Sequence, residues 1–130
     1  MEILVIYIDL DGMKWINDNL GHKVGDQALV ETATILKDTF RKSDIIARLG
    51  GDEFVILAFG TGLSSSEILV KRLQEKVRYL NEQETRSFKL FISIGIALYD
   101  PLSPASIDEL IRQADQTMYK HKQGKRGFST

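Results

Sequence analysis

The stretch that decides the fold is Ile3-Leu4-Val5-Ile6-Tyr7-Ile8-Asp9-Leu10-Asp11-Gly12. Its first six residues are continuously apolar and rich in β-branched side chains. A solvent-facing strand alternates apolar and polar residues; a continuous run of this length reads as a central strand covered on both faces. The run stops at two carboxylates spaced two apart, so both project to the same side of the strand line. Met13 to Leu20 reads as a short helix ending before Gly21. Leu29, Ala33, Leu36 and Phe40, spaced four, three and four, predict one face of a second helix. Ile45–Leu49 and Phe54–Phe59 are apolar runs flanking Gly50-Gly51, a pair expected to supply the positive φ values of a tight two-residue hairpin turn.

The remainder follows the same logic. Ser64-x-x-Glu67 has the pattern of a capping box and opens a helix with Leu69, Leu73, Val77 and Leu80 on its inner face. Phe88–Leu98 contains a further strand, with Gly95 inside it. Ser106-x-x-Glu109 is a second capping box, followed by Ile107, Leu110, Ile111, Ala114 and Met118 at helical spacing. The order is β-α-α-β-β-α-β-α. A hairpin in the middle excludes a purely parallel sheet, so the expected class is α+β, a mostly antiparallel central sheet with flanking helices, rather than a doubly wound fold.

Composition narrows the chemistry. The 130 residues suit one domain. Lys plus Arg number 17 and Asp plus Glu 18, a net charge of −1, which supplies no global field for nucleic acid or an anionic membrane. The chain has no cysteine and two histidines, which excludes disulfides, thiolate metal sites and a multi-histidine zinc centre. The longest apolar run is a strand length, far short of a membrane span. A soluble cytoplasmic domain is expected.

Three polar constellations stand out. Asp9-Leu10-Asp11 offers carboxylates and a backbone carbonyl, the donors a hard cation such as Mg²⁺ takes; the plainer reading is a solvated loop with Asp11 capping the helix. Arg48-x-Gly50-Gly51-Asp52-Glu53-Phe54 brings two acids to a strand start, one for each face, where one of them can meet Asp9; the plainer reading is a soluble turn. Asn17, His22 and Asp26 cluster around Gly21 and Gly25. An amide and a carboxylate suit a purine edge, although Asn, Gly and Asp are also ordinary helix-end residues.

Taken in order, Asp9-Leu10-Asp11-Gly12-Met13-Lys14-x-Ile16-Asn17-Asp18-x-x-Gly21-His22-x-x-Gly25-Asp26, Arg41-x-x-Asp44, Arg48-x-Gly50-Gly51-Asp52-Glu53-Phe54, Ser93-Ile94-Gly95-Ile96-Ala97 and Ala114-Asp115-x-x-Met118-Tyr119 resemble the GGDEF family of diguanylate cyclases over nearly the whole chain. The resemblance implies a nucleotidyl-cyclase-like fold over residues 1–130 and the condensation of two GTP into cyclic di-GMP across a homodimer. It implies Mg²⁺ or Mn²⁺ on Asp9, the Leu10 carbonyl and Asp52, with Asp52 or Glu53 as the base. It also implies guanine contacts from Asn17 and Asp26 beside His22, and triphosphate contacts from Lys14 and Lys122. Arg41 and Asp44 resemble the family's product-inhibition site, the alternative being a surface ion pair. A regulatory domain on the parent chain is expected.

Two departures are visible. The family's preceding Asp-x-Leu-Thr-Gly-Leu-x-Asn-Arg helix is missing, so the chain reads as an N-terminally truncated domain. The family's C-terminal Lys-x-x-Gly-Arg-Asn segment appears as Lys122-Gln123-Gly124-Lys125-Arg126, one residue short. The alternative function is a catalytically impaired module that binds GTP or cyclic di-GMP and signals through a partner.

Overall fold

The computed structural model describes residues 2–84 and 86–117. Met118, Tyr119 and Lys122 therefore lie outside the described residues. Strand β1 (Ile3–Leu10) is followed by helices α1 (Met13–Leu20) and α2 (His22–Thr39), strands β2 (Ile45–Arg48) and β3 (Glu53–Phe59), helix α3 (Ser66–Asn81) and strand β4 (Ile92–Tyr99). A final helical segment covers 107–117. The four strands form one sheet in the order β2-β3-β1-β4, and every pairing is antiparallel. The α+β class expected from the order of elements is the one observed.

β1 is central, with Ile3–Asp9 paired to β3 and Ile3–Leu10 to β4. Its alternate residues serve two cores. Leu4, Ile6, Ile8 and Leu10 pack with Met13, Ile16, Ala28, Leu36 and Leu73 beneath α1, α2 and α3. Val5 and Tyr7 face the other way, with Val55, Ala97, Leu110 and Ala114 of the final helical segment. Leu4, Ile6 and Ile8 are completely buried, each burial contributing about 1.5–3 kcal/mol of transfer free energy.

Local details differ from the sequence reading. The β2–β3 connection spans Leu49–Asp52, with the Leu49 N–H donating to the Glu53 carbonyl at 2.9 Å. Neither Gly50 nor Gly51 has a positive φ. The turn is braced by Arg48, whose guanidinium donates to the Gly50 and Gly51 carbonyls at 2.9 and 3.0 Å. Left-handed glycines stand elsewhere, among them Gly12 (φ 75°) between β1 and α1, and Gly21 (φ 92°) between α1 and α2. Both are conformations an L side chain adopts only with strain.

The box at Ser64 does not form. A 3₁₀ turn, Leu63–Ser65, precedes α3, and the Ser66 hydroxyl donates to the Leu63 carbonyl. The box at Ser106 forms in part, with its hydroxyl accepting the Glu109 N–H at 3.1 Å. On α2 the buried line is Gly25, Ala28, Thr32 and Leu36, and Leu29 and Ala33 lie at its margin.

Candidate active site

The polar end of β1 is assembled by register. Asp9 stands directly opposite Glu53 on β3 and Ser93 on β4. Cross-strand partners share a face of the sheet, so the three side chains occupy the face that also carries Tyr7. Asp9 is only 7% exposed. The next residue, Leu10, donates its N–H to the Asp52 carbonyl at 2.9 Å. In an extended residue the N–H and C=O point to the same side, so the Leu10 carbonyl is aimed at the signature turn that carries Asp52. Asp11 does not cap α1. Its N–H donates to the Phe91 carbonyl at 2.8 Å, and its carboxylate accepts the Ser93 hydroxyl at 2.9 and 3.0 Å.

Tyr7 is a member of this cluster that sequence reasoning passed over. Burial pushes its phenol well above the ordinary range. A hydrogen bond to the Glu53 carboxylate and the negative charges of Glu53, Asp115 and Asp9 act in the same direction. Asp115 thus contributes field from the final helical segment. The signals for Ser93 and Asp115 were present in quoted motifs, whereas Tyr7 was hidden in an apolar run.

These donors fit a hard cation in part. Asp9, the Leu10 carbonyl and Asp52 supply only oxygen, as Mg²⁺ or Mn²⁺ requires. Among the described residues no group of three His, Cys, Asp or Glu side chains converges into a complete cage. Mg²⁺ characteristically leaves positions for water and substrate phosphate; the register sets Glu53 opposite Asp9, while Asp52 is tied to Leu10 through its backbone carbonyl.

A second group lies at the α1–α2 junction. His22 and Asp26 are one turn apart on α2 and both are exposed. Asn17, half-buried on α1, lies against Gly25, the residue before Asp26. Lys14 is exposed in the first turn of α1. The three candidate base-reading residues are therefore brought together.

Arg41 and Asp44 are not a simple surface pair. The Asp44 side chain is 3% exposed, against 62% for Arg41. Its carboxylate accepts the backbone N–H groups of Arg41 at 2.9 Å and Phe59 at 3.3 Å, pinning the α2–β2 loop to the end of β3. Arg41 donates to the Phe59 carbonyl at 2.6 Å and to the Thr61 hydroxyl at 3.3 Å. The pair borders a cleft of about 280 Å³ lined also by Phe40, Thr61, Ile68 and Arg72. Arg72, from α3, is a second cation that sequence reasoning did not single out.

The family model described as "Diguanylate cyclase, GGDEF domain" matches residues 1–127. The chain belongs to the GGDEF-domain family. Among its curated relatives, the probable diguanylate cyclase DgcC of Escherichia coli K12 is 39% identical over 127 residues, covering 96% of this chain and 33% of DgcC. The bifunctional diguanylate cyclase/cyclic di-GMP phosphodiesterase MucR of Pseudomonas aeruginosa is 38% identical over 125 residues, 95% of this chain and 18% of MucR. This GGDEF chain thus spans between about a fifth and a third of those relatives. A solved structure comprising only the GGDEF domain of TpbB (YfiN) from Pseudomonas aeruginosa superimposes with a TM-score of 0.82 at 33% identity, covering 95% of this chain and 72% of that one. No described helix is long and apolar enough to cross a membrane.

Proposed function

We propose that this chain is a diguanylate cyclase domain that converts two GTP into cyclic di-GMP and two pyrophosphates. The observation that carries the proposal is the register at the end of β1: Asp9 opposite Glu53, with the Leu10 N–H held by Asp52. This register places the acids of two separate family motifs beside one another. Each subunit of a homodimer holds one GTP. The 3′-hydroxyl of each nucleotide attacks the α-phosphorus of the other; a new P–O bond forms, and the α–β bridging bond breaks to release pyrophosphate. Asp52 or Glu53 takes the hydroxyl proton.

Asp9, the Leu10 carbonyl and Asp52 would hold Mg²⁺ or Mn²⁺, which when bound would neutralise phosphate charge and favour ionisation of the hydroxyl. Positioning does most of the rest. Asn17 and Asp26, beside His22, read the guanine; Lys14 faces the triphosphate, and the role expected of Lys122 is retained with it. Arg41, steadied by Asp44 and joined by Arg72, binds the product in the 280 Å³ cleft and restrains turnover. A regulatory domain elsewhere on the parent chain sets the activity, and GTP as the substrate fits a cytoplasmic domain.

The test is direct. The purified chain, incubated with GTP and Mg²⁺, should form cyclic di-GMP, and Asp9→Asn should reduce formation to background while weakening Mg²⁺-dependent GTP binding. Binding without product in the parent would refute the enzyme reading in favour of a ligand-sensing module. Parent-level turnover in Asp9→Asn would remove Asp9 from the metal site.

A further inference from the structure

Gly25 is buried inside α2, with no positive φ to explain it. A glycine within a helix costs stability relative to alanine, so its backbone freedom gives nothing in return here. What its missing side chain provides is space. A Cβ built on Gly25 would collide with the Asn17 amide oxygen, stand 3.0 Å from Asn17 Cγ and lie 3.5 Å from Met13 Cε. The amide of Asn17 thus occupies the volume that any other residue at position 25 would fill.

The surroundings allow one escape. Met13 and Ile16 are buried where α1 meets the core, so α1 cannot move away cheaply. The end of the Asn17 side chain, half-buried at the helix margin, can rotate. A methyl at position 25 would therefore displace the amide while leaving the two helices in place.

We propose that Gly25 is a positioning residue for guanine selectivity: its bare Cα is the seat that fixes the Asn17 amide beside Asp26. This rests on the proposed assignment of Asn17 to the guanine edge. An amide held in one orientation meets the base without first losing rotamer freedom. An amide pushed off its seat presents its donor and acceptor in the wrong place, and the penalty falls on guanine rather than on the triphosphate.

The test uses the full chain with the α,β-methylene analogues of GTP and ATP, whose α–β linkage cannot be cleaved, so binding is read without turnover. Parent, Gly25→Ala, Asn17→Ala and the double variant are compared. Gly25→Ala should bind the GTP analogue about tenfold more weakly, the equivalent of one lost hydrogen bond, with its affinity for the ATP analogue unchanged. Asn17→Ala should show the same loss, and the double variant should be no weaker than Asn17→Ala, because the methyl acts only through the amide. In the Asn17→Ala background the Gly25→Ala change should raise the melting temperature, since the collision is gone and the helix gains an alanine.

Parent-like selectivity in Gly25→Ala, or losses that multiply in the double variant, would overturn the proposal. A folded double variant beside an unfolded Gly25→Ala would support the seat; failure of both to fold would overturn it by placing the requirement in the helix packing. A parent that binds both analogues equally would instead refute the guanine reading itself.

Discussion

Arg86→Ala is the most informative perturbation of stability. Arg86 forms a bidentate pair with Glu31 of α2, at 2.5 and 3.0 Å, across 55 residues of sequence. It also lies over the Phe88 ring, 4.7 Å from its centroid, and donates to the Phe88 carbonyl at 3.3 Å. The two side chains are only 9% and 18% exposed. Breaking a buried pair by removing one partner costs about 3–5 kcal/mol, because the other charge is left without compensation. Glu31 regains some hydration, which lowers that figure to about 2–3 kcal/mol, and loss of the ring contact adds about 0.5–1 kcal/mol. A total near 3 kcal/mol corresponds to about 10 °C in melting temperature for a domain of this size. Arg86→Lys keeps the charge but loses the planar fork and should recover about half of the loss. Thermal unfolding followed by circular dichroism gives both values. A drop of less than about 3 °C for Arg86→Ala would refute the reasoning, since it would mean that the Glu31 carboxylate regains its hydration and is not left as an uncompensated buried charge. The effect should reach the site: Arg86 anchors the segment leading to Phe91, whose carbonyl holds the Asp11 N–H, so turnover should fail at a lower temperature than in the parent.

The two members of the Arg41–Asp44 pair should behave oppositely. Asp44→Ala leaves the Arg41 and Phe59 N–H groups without their acceptor and should cost about 2–4 kcal/mol in urea unfolding. Arg41→Ala, at an exposed position, should cost no more than about 1 kcal/mol while abolishing inhibition by added cyclic di-GMP, with the initial rate within a few-fold; undiminished inhibition would return Arg41 to a purely structural role. Ser93→Ala removes the hydroxyl donated to Asp11 and should cost about 1–3 kcal/mol and lower turnover. An unchanged unfolding midpoint would show that the hydroxyl contributes nothing net.

β1 was legible because burial on both faces leaves an uninterrupted apolar run, and α1 because Gly21 ends it. The glycine turn was misread: a Gly-Gly pair permits a two-residue turn, but nothing local reveals that Arg48 will clamp the carbonyls of a longer one. The α2 face was read correctly at Leu36 and Phe40 but one residue off at Leu29 and Ala33, because small residues, Gly25 and Ala28, are the buried ones in its first turns and hydrophobic periodicity weights them little. Asp9 and the signature acids were legible as candidates. Their pairing across β1 and β3 needed register, which depends on contacts distant in sequence. The burial of Asp44 arises from Phe59 on the far end of the hairpin, and Tyr7 looked like one more apolar strand residue until the sheet placed Glu53 within its reach.

The central position of β1 has a consequence for how the chain is made. Its eight residues leave the ribosome before either flanking strand exists. The β3 partners begin at Glu53 and the β4 partners end at Tyr99, 96 residues after β1 starts at Ile3. At a synthesis rate of ~5–20 residues per second, the second partner arrives roughly 5–20 s after the first residues of β1. Throughout that interval an apolar strand with one or both edges open is a template for pairing with another nascent chain. Expression yield should therefore respond to chaperone supply and to translation speed between β3 and β4 more than to the stability of the finished domain.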